Sequence, residues 1–86
     1  MSVMDDTIRS IVAEYGRLSG DALTVGEAED LYRMGLTSHA TVNVMLALED
    51  AFDVEFPDVM LRKSTFQSVS AIRAAVHELA DTTETA

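Results

Sequence analysis

Apolar residues recur at intervals of three and four in the first and last thirds of the chain, which predicts helices that each turn one face to a core. The first stripe consists of Ile8, Ile11, Val12 and Tyr15. The last stripe consists of Val69, Ile72, Val76 and Leu79, on a helix over about 69–80. Gly16 and Gly20 mark where the first helix ends, and Ser68 or Ser70 can cap the last one.

The middle of the chain predicts a longer apolar helix over Ser38–Asp53, entered through a sharp turn at Gly35. Nine of the fourteen residues from His39 to Phe52 are apolar, so the apolar surface exceeds one core-facing stripe. On a helical wheel, Met45, Leu48 and Phe52 share the predicted core face. Because a small protein cannot bury such a helix on all sides, Val42 and Leu46 are interpreted as a docking patch one turn apart.

The connecting segments complete the prediction of an all-α fold, a small four-helix bundle without strands. Residues 21–29 are predicted as a loop that Leu23 and Val25 fix to the core. Leu31, Tyr32, Met34 and Leu36 then return the chain to the core. Pro57 marks a break, and a short third helix is predicted over Asp58–Lys63, with Val59, Met60 and Leu61 partly inward. One domain over 1–86 is expected, with its core at about 5–80 and a polar tail at 81–86.

Composition excludes several classes of function. The net charge of −9 opposes binding to nucleic acid and favours encounter with a basic protein surface. The chain has no cysteine, which excludes disulfides and thiolate metal sites, and it shows neither a membrane span nor a signal peptide. We therefore expect a cytoplasmic monomer.

Ser38 is the candidate for chemistry, because it stands where the middle helix begins. Serine is a preferred N-cap, and the free N–H groups and dipole of a helix start favour an attached or bound phosphate. His39 does not make a catalytic pair with Ser38, because neighbouring helical residues point about 100° apart. The other histidine, His77, lies in the predicted last helix. No glycine-rich nucleophile elbow surrounds Ser38. The acids from Glu49 to Asp58 lack the glycine and the glutamate spacing of a calcium loop, so no metal site is predicted.

Several segments together resemble acyl carrier proteins, over roughly residues 7–80. These segments are GLTSH at 35–39, LEDAF at 48–52, FPD at 56–58 and TFQSV at 65–69. Members of that family carry Gly-x-Asp-Ser-Leu at the start of the second helix, and 4′-phosphopantetheine is attached to the serine. The resemblance therefore implies a phosphopantetheine arm on Ser38, and it implies that Thr37 is not the site.

The departures from the family pattern concern the residues around the serine. Thr37 replaces the usual aspartate, His39 replaces the usual leucine, and Asn43 stands where many fatty-acid carriers have glutamate. His39 is interpreted equally as an exposed residue or as a contact to the arm or a partner. The residues assigned to partner docking are His39, Val42, Asn43, Leu46, Glu49 and Asp50. Because no acid occurs before Glu49 in this helix, the acidic edge is shifted, and we hypothesise partners other than the fatty-acid enzymes.

The function that the resemblance implies is that of a carrier, not an enzyme. A phosphopantetheinyl transferase would modify Ser38 with coenzyme A as the donor, a ligase would load an acyl or aminoacyl group as a thioester, and downstream transferases would receive it. Two alternatives remain open at this point. One is a free-standing aminoacyl or peptidyl carrier loaded by a dedicated adenylating ligase. The other is an unmodified helical interaction module.

Overall fold

Three α-helices make up the fold of the computed structural model, which describes residues 3–85. They are α1 (Val3–Tyr15), α2 (Ser38–Phe52) and α3 (Val69–Thr85), and two 3-10 turns, Asp58–Met60 and Lys63–Thr65, stand between α2 and α3. The prediction of an all-α fold is confirmed, since residues 3–85 contain no strand.

The predicted short helix over 58–63 is wrong, because two separate 3-10 turns occupy this segment. Arg62 lies between them with an extended backbone (φ −139°, ψ 159°), which interrupts any continuous helix. Only Met60 of the predicted inward residues packs against the core, while Val59 and Leu61 are exposed. The bundle therefore has three α-helices instead of four in the part that the structure describes.

The last helix is longer than predicted, since α3 continues to Thr85 instead of ending near residue 80. Residues 81–85 contain neither glycine nor proline, so nothing in the predicted polar tail stops the helix. Ser68 provides the cap, because its Oγ accepts the N–H of Ala71 at 3.1 Å. Ala86 lies outside the described residues.

The core lies where the inner faces of the three helices meet. The predicted stripes of α1 and α3 are confirmed, except that Tyr15 is 40% exposed and Leu79 is only partly buried. In α2 the fully buried stripe is Ala40, Val44 and Leu48 at intervals of four residues, and the predicted face of Met45 and Phe52 is only partly buried. This leaves Val42 and Leu46 exposed, as predicted for the docking patch.

The long loop between α1 and α2 is held by residues buried in the core and by hydrogen bonds from α1. Leu31 and Leu36 are buried as predicted, but Leu23 is 56% exposed and Ala22 fills the predicted anchor position instead. Arg9 of α1 donates hydrogen bonds to the carbonyls of Ala22 and Val25, which fixes this part of the loop to α1.

Arg73 of α3 joins α1 and the loop through two acids. Its Nη1 lies 2.9 Å from Asp5 Oδ2 and 3.3 Å from Glu27 Oε2. The hydrogen bonds to Glu27 and Asp5 raise the pKa of the Arg73 guanidinium, so this cation keeps its charge at any ordinary pH. The loop therefore delivers the chain to α2 from a defined position.

Candidate functional site

The turn before α2 depends on Gly35. Its φ of +110° is unfavourable for any residue with a Cβ. The Gly35 N–H donates to the Tyr32 carbonyl at 3.2 Å, and the Leu36 N–H donates to the Leu31 carbonyl at 3.1 Å. These bonds close the turn and aim the next residues at the start of the helix, which confirms the predicted role of the glycine.

The N-cap of α2 is Thr37, so the prediction that Ser38 caps the helix is wrong. Thr37 has the extended backbone of a cap (φ −102°, ψ 165°), and its Oγ1 accepts the N–H of Ala40 at 3.0 Å. Ser38 is the first residue of the helix itself. Two adjacent hydroxyls could each have served as the cap, and the extended residue is the one that does.

Ser38 consequently keeps a free hydroxyl. The Ser38 side chain is exposed, and it makes no hydrogen bond with any residue whose side chain the structure describes, 3–80. The N–H groups of Ser38 and His39 also lack helical acceptors, since they belong to the first turn. An exposed hydroxyl beside free N–H groups can be modified without loss of any internal contact.

A chain of hydrogen bonds holds the cap in place. Thr41 Oγ1 donates to the Thr37 carbonyl at 2.8 Å, and Tyr32 OH lies 3.2 Å from Thr41 Oγ1. Because the Thr41 proton is already committed, Tyr32 is the donor in this contact. The loop side chain Tyr32 is thereby tied to the first turn of α2.

We expect Thr37→Ala to lower the free energy of unfolding by about 1 kcal/mol, because the Ala40 N–H loses its acceptor. In a domain of this size, that loss lowers the melting temperature by roughly 4–8 °C. Thr37→Ser is the matched control, since serine also caps, and it should stay near the wild type in thermal denaturation followed by circular dichroism. Equal stability of the Ala and Ser variants would contradict the assignment of the cap.

A groove with a volume of about 560 Å³ opens beside Ser38, between the start of α2 and the 3-10 segment. Its apolar lining residues are Leu36, Val42, Met45, Leu61 and Phe66, and its polar lining residues are Tyr32, Thr37, Ser38, Thr41, Arg62 and Lys63. The groove therefore brings the free hydroxyl of Ser38 together with apolar side chains.

The six predicted docking residues lie in different surroundings. Val42 lines the groove together with Ser38, whereas His39, Asn43 and Leu46 lie exposed on α2 outside the groove.

The two predicted docking acids lie further along α2. Glu49 is partly buried, and its Oε2 accepts the N–H of Phe56 at 2.9 Å, so it fastens the chain after α2. Asp50 is exposed and lines a different recess, between α1 and α2.

Arg62 and Lys63 are site residues that sequence reasoning missed, because their segment was expected to be helical. Lys63 Nζ lies 4.9 Å from the centroid of the Tyr32 ring, which is a cation–π contact across the groove. A signal was available, since these are the only two adjacent basic residues in a strongly acidic chain.

Two further classes of site were tested on the described residues. Among the side chains of residues 3–80, no group of three or more His, Asp or Glu stands close enough together to hold a metal ion. No described helix combines the length and the apolar character that crossing a bilayer requires.

The sequence of the chain matches a known protein family. The sequence profile described as "Phosphopantetheine attachment site" matches residues 6–76, which is most of the chain. The chain belongs to this family of phosphopantetheine-bearing carrier proteins. It is 43% identical to the aminoacyl carrier protein of Agrobacterium fabrum (strain C58 / ATCC 33970) over 83 residues, which are 96% of this chain and 100% of the relative.

Solved structures show the same similarity. One is the crystal structure of an engineered Bradyrhizobium japonicum glycine:[carrier protein] ligase complexed with carrier protein from Agrobacterium tumefaciens and ATP. It matches with a TM-score of 0.83 and 44% identity, over 87% of this chain and 97% of that chain. The solution structure of ATC2521 from Agrobacterium tumefaciens matches with a TM-score of 0.74 and 43% identity, over 95% and 99% of the two chains.

The prosthetic group of the family is 4′-phosphopantetheine, held covalently. The structure fits this group, because a free exposed hydroxyl lines a groove together with several apolar residues. Membership of the family makes the protein a carrier and not an enzyme.

Proposed function

We propose that this protein carries an aminoacyl group on a phosphopantetheine arm attached to Ser38, and that an amino-acid-activating ligase loads it. The single observation that supports this site is that the two neighbouring hydroxyls at the start of α2 have different roles. Thr37 caps the helix, and Ser38 is left exposed with an unengaged hydroxyl. Full-length similarity to an aminoacyl carrier protein supports the choice of cargo.

In the attachment step, Ser38 Oγ is the nucleophile toward the phosphate of coenzyme A that bears the pantetheine. A new Oγ–P bond forms, the P–O bond to the leaving adenosine 3′,5′-bisphosphate breaks, and a base of the transferase accepts the hydroxyl proton. The arm supplies the thiol that this cysteine-free chain lacks, and acyl groups are held there as thioesters.

The chain's own residues position the arm and meet its partners. Thr37 and Tyr32 fix the start of α2, so Ser38 is presented from a rigid turn. Val42 and Leu46 are 50% and 52% exposed, and they offer apolar contact one turn apart close to the serine. Binding through so small a patch is expected to be weak, which suits a carrier that must leave each enzyme.

The ligase in the solved complexes is a glycine:[carrier protein] ligase, and those complexes contain AMP or ATP. We infer a ligase of this class as the loading partner here. A phosphopantetheinyl transferase and an acceptor transferase complete the proposed partner set. The proposed domain is the whole chain, 1–86.

Loading of the arm-bearing protein tests the cargo. Incubated with ATP, such a ligase and glycine or another small amino acid, it should gain the mass of one aminoacyl residue, and hydroxylamine should remove this gain by cleaving the thioester. Protein without the arm is the control and should gain nothing. Efficient loading with fatty acids by an acyl ligase, with no amino acid accepted, would overturn the aminoacyl assignment.

A further inference from the structure

The groove beside Ser38 differs in charge from the rest of this acidic molecule. Two of the chain's six basic residues, Arg62 and Lys63, line it, and none of its described lining residues is an acid. The recess between α1 and α2 shows the opposite pattern, since Asp6, Glu14 and Asp50 line it without a described basic residue. A chain of net charge −9 therefore presents a positive pair in the groove that its free serine also lines.

Contacts with neighbouring groups restrict both basic side chains. Arg62 donates from Nε and Nη2 to the carbonyl of Val59, in the preceding 3-10 turn, at 3.0 and 2.7 Å. The Lys63 ammonium lies over the Tyr32 ring, and Tyr32 is bonded to Thr41. Among the side chains that the structure describes, those of residues 3–80, neither forms an ion pair with an acid, so both charges are available to an external anion.

We propose that Arg62 and Lys63 bind the phosphodiester of the arm, so that the arm enters the groove and contacts its apolar lining residues. This inference rests on the proposed attachment at Ser38. A phosphodiester carries one negative charge and acceptor oxygens, and guanidinium and ammonium groups are its usual partners. The same oxygens would otherwise face the field of an acidic protein.

The positive charge of Arg62 and Lys63 favours binding of the phosphodiester over binding of the cargo. An aminoacyl thioester ends in an ammonium group, which Arg62 and Lys63 repel. The arm is thereby held at its base, while its loaded end stays outside the positive region and is accessible to partner enzymes.

The test compares two double variants that remove the same charge. Arg62→Gln/Lys63→Gln alters the groove, and Arg17→Gln/Arg33→Gln alters two exposed arginines that do not line it. Each protein is converted fully to the arm-bearing form, as checked by intact mass. Its melting temperature is measured with and without the arm, and the phosphodiester is observed by ³¹P NMR.

In the wild type and the Arg17/Arg33 control, the arm should raise the melting temperature by roughly 2–4 °C at low salt, as expected for one exposed charge contact. The gain should vanish in the Arg62/Lys63 variant and at 1 M salt, where screening is strong. The ³¹P shift should move in that variant alone. Conservative Arg62→Lys and Lys63→Arg changes should keep most of the gain.

An unchanged ³¹P shift and an unchanged gain in the Arg62/Lys63 variant would overturn the inference. The same result together with weaker ligase binding would assign the pair to an acidic protein surface instead. Failure of the proposed attachment is distinguishable, because the wild type would then show no mass gain before any of these measurements.

Discussion

Ser38→Ala is expected to abolish phosphopantetheine attachment completely while leaving the fold and its stability nearly unchanged. The reason is that Ser38 is the first residue of α2, and its hydroxyl makes no hydrogen bond among the described residues. Alanine is the best helix former, so the helix loses nothing at this position. The measurement is intact mass after incubation with coenzyme A and a broad-specificity phosphopantetheinyl transferase, together with thermal denaturation of the same sample.

Thr37→Ala is the matched control for this prediction, because it removes the neighbouring hydroxyl. It should accept the arm in full and lose about 1 kcal/mol of stability, the reverse of the behaviour of Ser38→Ala. The pair thus separates attachment from capping at two consecutive residues. A mass gain in Ser38→Ala, or no mass gain in a folded Thr37→Ala protein, would show that our proposal assigns the arm to the wrong residue.

The helices were predictable because their buried stripes are encoded locally. Positions such as Ile8 and Val12, or Ile72 and Val76, recur at helical intervals whatever lies opposite them, and all four are fully buried. Gly35 was also predictable, since a sharp turn before a helix requires a residue that tolerates a positive φ. The candidate serine followed from the same turn and from the flanking segments.

The errors arose where long-range contacts choose between locally equivalent options. Thr37 and Ser38 are both good caps, and the backbone of the incoming loop decides between them. Ala22 is buried and Leu23 is exposed in a loop segment whose backbone is bound by Arg9 from another element. Hydrophobicity alone favours the leucine, so no pattern in the sequence corrects this choice.

The groove could not be predicted from the sequence for a related reason. The extended backbone at Arg62 splits the expected third helix, and Lys63 then lies over Tyr32, a residue 31 positions earlier in the chain. Proximity across such a separation is a property of the fold and not of the sequence pattern. Only the composition, two adjacent bases in an acidic chain, marked the place.

Leu48→Ala should give the largest loss of stability among the changes considered. Leu48 is fully buried in the α2 stripe, with Val44 one turn before it. Truncation of a buried leucine leaves a cavity and costs about 2–5 kcal/mol. Since small domains are stable by only about 5–15 kcal/mol, such a loss should be evident as a lower denaturation midpoint in urea with a similar slope.

Leu46→Ala is the same substitution two residues earlier on the same helix, where the side chain is 52% exposed. Its stability should change by less than about 0.5 kcal/mol, because little buried surface is removed. If Leu46 belongs to the docking patch, however, loading by the ligase should weaken, with KM raised roughly 3- to 10-fold and kcat little changed, as expected for about 1 kcal/mol of binding energy. Leu48 would then stabilise the core, and Leu46 would contact the partner. Normal KM for Leu46→Ala would remove Leu46 from the docking surface, and a stable Leu48→Ala protein would contradict the burial on which this division of α2 depends.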